Sequence, residues 1–197
     1  MSFESLAVAG RECGACTACC VELAIVTDDM VKMEGVACRH CQADGGCAIY
    51  AARPQLCREY FCGWRCIPAL DDAWRPDLSG VMILHEPPVP GYDAPLAISL
   101  VVLGGPEVVE SDRFAMLVAG FIDRGTPTHL NLPGKAGFWS HKQLLNEDLA
   151  PAIRARELAR VKALIWGFYA HLRSRPPVAK TEAQVVQAWP AEGGAPA

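Results

Sequence analysis

The spacing of hydrophobic and polar positions along this chain predicts a short list of elements. Val21-Glu22-Leu23-Ala24-Ile25-Val26 alternates and is rich in β-branched residues, which predicts a strand. Thr27-Asp28-Asp29 then reads as a helix N-cap with an acidic first turn, for a short helix to about Glu34 that stops at Gly35. Asp44-Gly45-Gly46 marks a turn. Arg53-Pro54 predicts a helix starting at Pro54, where a missing N–H costs nothing, and running past Cys57 toward Cys62. Val81 to Leu84 and Leu96 to Leu103 are strand patterns separated by the proline-rich loop Pro87 to Gly91.

Phe114, Leu117, Val118, Phe121 and Ile122 follow helical spacing within an amphipathic helix of about 107–123. Thr128 to Leu132 predicts a short strand ending at Pro133-Gly134. The longest apolar stripe is Leu158, Val161, Leu164, Ile165, Phe168, Tyr169 and Leu172, in a helix over 151–173 with Pro151 near its start. Residues 1–12 read as a lead-in, partly helical, and the tail from about 176 is rich in Ala, Pro and Gly and is expected to be disordered.

Charge removes one class of partner. Eighteen Lys and Arg against twenty-two Asp and Glu leave a net charge of −4. A nucleic-acid binder needs a basic face to neutralise phosphates, and the basic residues here are scattered, so no nucleic acid is expected as a partner. The start of the chain has no positively charged segment before an apolar run, and Leu96 to Leu103 is far short of the ~20 residues of a membrane helix. A cytoplasmic protein without membrane contact is therefore expected.

That compartment changes how the cysteines are read. All ten lie between Cys13 and Cys66. Cytosolic thiols are kept reduced, so a dense set there points to metal binding or catalysis before a disulfide scaffold. Cys13, Cys16 and Cys19 form C-x2-C-x2-C, the triple spacing by which bacterial ferredoxins hold three corners of an iron–sulfur cube. The neighbouring Cys20 breaks that pattern, so a fourth corner would come from the later group. Zinc competes, since soft thiolates suit both metals and ten cysteines suffice for two ions. Cys38-Arg39-His40-Cys41 is a second C-x-x-C, with His40 read as a hydrogen-bonding neighbour. Arg53 and Arg58 could offset the negative charge of clustered thiolates and donate to sulfur. Tyr50 is read as a core residue beside them rather than a redox relay.

Other candidates are weaker. His85, His129, His141 and His171 follow no ligand spacing, and Leu103-Gly104-Gly105-Pro106 lacks the phosphate-loop patterns. Ser140-His141 and Ser111-Asp112 have no hydrolase partner pattern.

Residues 13–65 resemble the YkgJ-type cysteine-cluster family, zinc- or iron-chelating proteins with the signature CxxCxxCC. The first motif is Cys13-Gly-Ala-Cys16-Thr-Ala-Cys19-Cys20. The second runs through Cys38, Cys47-Ala48-Ile49-Tyr50, Arg53-Pro54, Cys57-Arg58 and Cys62. The resemblance implies eight metal-binding cysteines: Cys13, Cys16, Cys19, Cys20, Cys38, Cys47, Cys57 and Cys62. Cys41 and Cys66 stand outside it as possible extra ligands. Members are often labelled iron–sulfur oxidoreductases, and a related module occurs in a flagellin lysine methylase; such labels do not carry a reaction over.

The expected fold is α+β: a small metal-stabilised cysteine knot, residues 1–70, packed on a small sheet with two helices, residues 71–175, followed by the tail 176–197. The knot alone is too short to bury a stable core, so metal would supply much of its folding free energy. The expected function is a metal-binding protein holding an iron–sulfur cluster for redox or metal-handling chemistry, with an unknown redox or protein partner. The alternative is a scaffold stapled by one or two structural Zn ions.

Overall fold

A computed structural model of the chain describes residues 7–27 and 30–181. Among them, eight α-helices accompany a two-stranded and a four-stranded sheet, an α+β arrangement. None of these helices is long and apolar enough to cross a membrane.

The cysteine-rich part opens without a helix over 7–12, where a turn replaces the expected lead-in helix; residues 1–6 lie outside the described residues. Helix α1 (Ala18–Glu22) takes the first two residues of the alternating 21–26 segment, and only β1 (Ile25–Val26) forms a strand. It pairs antiparallel with β2 (Val31–Lys32), Val26 opposite Val31. Strand β2 stands where a helix to Glu34 was expected, while β1 falls within the expected strand; Asp28 and Asp29 lie outside the described residues. Two interactions explain the difference. Thr27 N–H donates to the Met30 carbonyl at 2.9 Å, closing the turn. The buried Lys32 amine donates to the carbonyls of Val21 and Leu23, at 2.9 and 2.5 Å, so its cation terminates α1.

Helix α2 (Gln55–Glu59) stops before Cys62, and α3 (Gly63–Cys66) and α4 (Pro76–Ser79) follow. The main sheet holds β3 (Val81–Glu86), β4 (Ala97–Val102), β5 (Thr128–Leu132) and β6 (His141–Leu144) in that order. The pairs are antiparallel, parallel and antiparallel. The parallel step is bridged by α5 (Pro106–Glu110) and α6 (Asp112–Asp123), as a crossover requires. Helices α7 (Asn146–Arg154) and α8 (Leu158–Ser174) complete the layer.

Both long helices read from the sequence are split, so four helices stand where two were expected. Ser111 has an extended backbone, and its hydroxyl accepts from Phe114 N–H at 3.1 Å, starting α6 afresh. Arg156 takes a left-handed conformation, φ 58°, which ends α7 and redirects the chain into α8. Helix α7 begins earlier than Pro151 suggests. Asn146 at its start is fixed by the backbone at and just before the start of β5, accepting from Thr128 N–H and donating to the Thr126 carbonyl. The start of the expected disordered tail is instead held on the fold: Ala179 bridges Phe138, and Lys180 N–H donates to the Gly137 carbonyl at 2.9 Å; the rest of that tail, 182–197, lies outside the described residues.

One buried cluster joins the two parts. Val81, Ile83, Leu100, Val102 and Leu130 of the sheet meet Phe114, Val118, Leu149, Val161 and Ile165 of the helices. Trp64, Leu70 and Trp74 from the cysteine-rich part belong to the same cluster. Helix α3 can lie directly on β3 because residue 63 is glycine: a Cβ there would stand 2.5 Å from Ile83 Cγ2. Arg11 fastens the same corner, donating to the carbonyls of Trp64 and Ile67.

Candidate metal centre

The first motif is a tight turn followed by a helix. Cys16 N–H donates to the Cys13 carbonyl at 2.9 Å, and Gly14 takes the left-handed conformation the turn needs. Helix α1 then carries Cys19 and Cys20, whose sulfurs are 4.0 Å apart. Two thiolates on one tetrahedral ion span about 3.8 Å when each metal–sulfur bond is about 2.3 Å.

The second motif folds back on the first. Cys38 N–H donates to the Cys20 carbonyl at 2.9 Å. Cys41 and Cys47 face each other as an antiparallel bridge, closed by the 42–46 turn. That turn touches the first motif so closely that a Cβ on Gly45, φ 92°, would lie 2.6 Å from the Ala15 carbonyl oxygen. Helix α2 presents Cys57, and Cys62 immediately precedes α3.

These elements enclose a cavity of about 170 Å³. Its walls include Cys13, Cys16, Cys19, Cys20, Cys38, Cys47, Cys57 and Cys62, the eight cysteines of the resemblance. Cys41 and Cys66 do not line it. Cys41 packs instead behind the wall, in a small apolar cluster with Ile25, Met30, Cys38, Cys20 and Cys57. Tyr50, Arg53 and His40 line the cavity, whereas Arg58 is exposed and does not. All ten cysteines are free thiols. Among the described residues, no group of three or more Cys, His, Asp or Glu side chains is drawn together to ligating geometry.

Burial governs the electrostatics. Desolvation raises the pKa of Cys16 and Cys57, and pushes Cys62 up to about 11. The vicinal pair is split: the Cys19 thiol donates to Cys20, which holds Cys20 down at about 6 and Cys19 well up. Lys32 and Arg53 add positive charge beside Cys20. Thiolates in this cavity therefore need a cation to offset their cost.

Two residues not singled out in the sequence matter here. Arg65 donates to Cys13 Sγ at 3.6 Å and stacks on Phe61, its guanidinium carbon 4.9 Å from the ring centre. Tyr60 also lines the cavity. Arg53 Nε, Arg65 Nε, Trp64 Nε1 and Tyr60 Oη are buried without a hydrogen-bond partner, and all four residues line the cavity. Unpaired buried donors are costly, and cluster sulfur or metal-bound thiolate is an acceptor of the right kind. The donor set thus fits a thiolate-held metal group. The pairing of Arg65 with Cys13 has no local sequence signal, since the two are 52 positions apart.

Compared with family models, curated proteins and solved structures, the chain has no match in any of the three.

Proposed function

We propose that this chain is a metal-binding cysteine-cluster protein of the YkgJ-like type, holding an iron–sulfur cluster for redox or metal-handling chemistry. One observation carries the reading: eight of the ten cysteines line one cavity, and they are the eight that the CxxCxxCC resemblance assigns. Three further features support it. The cavity volume is several times the ~30 Å³ share of one water, which suits a polynuclear group better than a single ion. Burial favours neutral thiols, so binding gains from a cation that stabilises thiolates. Arg53 and Arg65 bring positive charge and unpaired donors to the walls.

A bound cluster would supply electron transfer or an open metal position. The chain's own residues would hold it through thiolates, neutralise it through the two arginines, and exclude water with Leu23, Ile25, Met30 and Ile49. A second reading is a zinc-stapled scaffold, favoured by the Cys19–Cys20 sulfur separation, which is near that of two ligands on one ion.

The test is elemental analysis and visible absorption on chain purified without oxygen. Iron with acid-labile sulfide and a broad band that bleaches reversibly on reduction is the expected result. A colourless, redox-silent protein with about two zinc ions would move the account to the scaffold.

A further inference from the structure

We propose that Lys32 is a positioning residue of the metal centre: its buried ammonium holds helix α1 so that Cys19 and Cys20 line the cavity as an adjacent pair of ligands. The inference rests on reading the cavity as a metal site, and it adds what keeps the vicinal pair in place there.

Helix α1 cannot hold itself. It is five residues long, far below the ~12–15 at which an isolated helix becomes even marginal in water. Thr17 at its start makes no side-chain cap, and none of its residues is buried. Neither a cap nor an apolar face therefore keeps the chain helical at Cys19 and Cys20. The partners of its carbonyl end do. Leu23 N–H donates to the Cys19 carbonyl at 3.2 Å, and Cys38 N–H donates to the Cys20 carbonyl at 2.9 Å. The carbonyls of Val21 and Leu23 both accept from the Lys32 amine.

Lys32 is placed to do this and little else. It is only 4 % exposed although it is charged. A third bond runs to the Met33 carbonyl at 2.9 Å, so backbone oxygens take all three donors of the ammonium. Burying a cation is costly, and this one gains from the negative end of a helix. Lys32 lies opposite Ile25 in the β1–β2 pair, and Ile25 lines the cavity. One side chain thus ties the hairpin wall to the helix that carries the vicinal pair. The two sulfurs of that pair, 4.0 Å apart, are near the separation that one ion requires, and the separation depends on the backbone at Cys19 and Cys20. Arg65 donates to a sulfur directly, at Cys13, whereas Lys32 acts through the backbone that carries the sulfurs.

Zinc serves as the probe, because soft thiolates accept it in either kind of site. The full chain, wild type and Lys32→Met, is stripped of metal under reducing conditions and titrated with zinc against a competing chelator. Free thiols are then alkylated with iodoacetamide and mapped by mass spectrometry. Lys32→Met should bind zinc about tenfold to hundredfold more weakly, the size expected for hydrogen bonds from a charged donor. At a zinc level that protects Cys19 and Cys20 in the wild type, both should alkylate in the variant while Cys13 and Cys62 stay protected. If Lys32→Met does not fold, by circular dichroism of the metal-free chain, Lys32→Gln, which keeps amide donors, is read by the same criteria. Unaltered affinity and protection overturn the proposal. Uniform loss of protection across the cavity cysteines also overturns it, since Lys32 would then serve the fold alone. A wild-type chain that takes up no zinc overturns the metal-site reading itself.

Discussion

Arg65 and Arg58 make the residue-scale case, because they are similar side chains in opposite positions. Arg65 reaches Cys13 Sγ from α3, while Arg58 points away on the exposed side of α2. Outer hydrogen bonds to metal ligands are worth about tenfold to hundredfold in metal affinity. Arg65→Ala should therefore weaken metal retention by about that factor against a competing chelator, and Arg58→Ala should leave it unchanged; equal effects would place the charge contribution elsewhere. Two histidines give a separate prediction. Burial lowers His85 and His129 below their ordinary value of 6.5. A base with a lowered folded pKa binds fewer protons when folded, so its contribution is present above 6.5 and is lost as pH falls through the folded value. The urea midpoint should fall between pH 7.5 and 5.5, and His129→Asn should shrink that fall. An unaltered fall would remove His129 from the account.

At the scale of elements, local pattern and tertiary demand part company at identifiable residues. The strands at 81–84, 96–103 and 128–132 were legible because β-branched and apolar runs bounded by turn residues have few alternatives. The long helices were legible as apolar stripes, but their breaks were not. Arg156 adopts φ 58° without being glycine, and Ser111 resembles many serines that sit quietly on helix surfaces. Strand β6, His141–Leu144, was missed because His-Lys-Gln-Leu has no strand signature; pairing with β5 creates it. The second strand of the 25–32 hairpin falls where a helix to Glu34 is expected, since Thr27-Asp28-Asp29 is a good N-cap, and the Thr27–Met30 turn together with the use of the Lys32 amine on α1 outweighs that. The docking of α3 on β3 gives the element-scale prediction. Gly63→Ala should cost about 1–3 kcal/mol by overpacking against Ile83, read from denaturant unfolding, with β3 and α3 losing amide protection together. A neutral Gly63→Ala would mean that the two elements separate at no cost.

On the scale of the whole molecule, the sheet and helices act as a platform, and the cysteine-rich part is seated on it through Trp64, Leu70 and Trp74. Part of the candidate site was legible: the C-x2-C-x2-C spacing marked Cys13, Cys16 and Cys19, and the CxxCxxCC resemblance implied the eight that line the cavity, whereas the second C-x-x-C spacing also pointed to Cys41, which does not line it. The sequence could not supply the wall. Arg65 reaches Cys13 only after the chain folds back over 52 positions, and no local pattern marks Tyr60 as a wall residue. The measurement that tests the account most directly is X-ray absorption at the metal edge, on the full chain purified without oxygen. The account predicts a first shell of sulfur alone at about 2.3 Å, with a short iron–iron shell behind it for a cluster. A first shell of nitrogen and oxygen, or no bound metal, would contradict it.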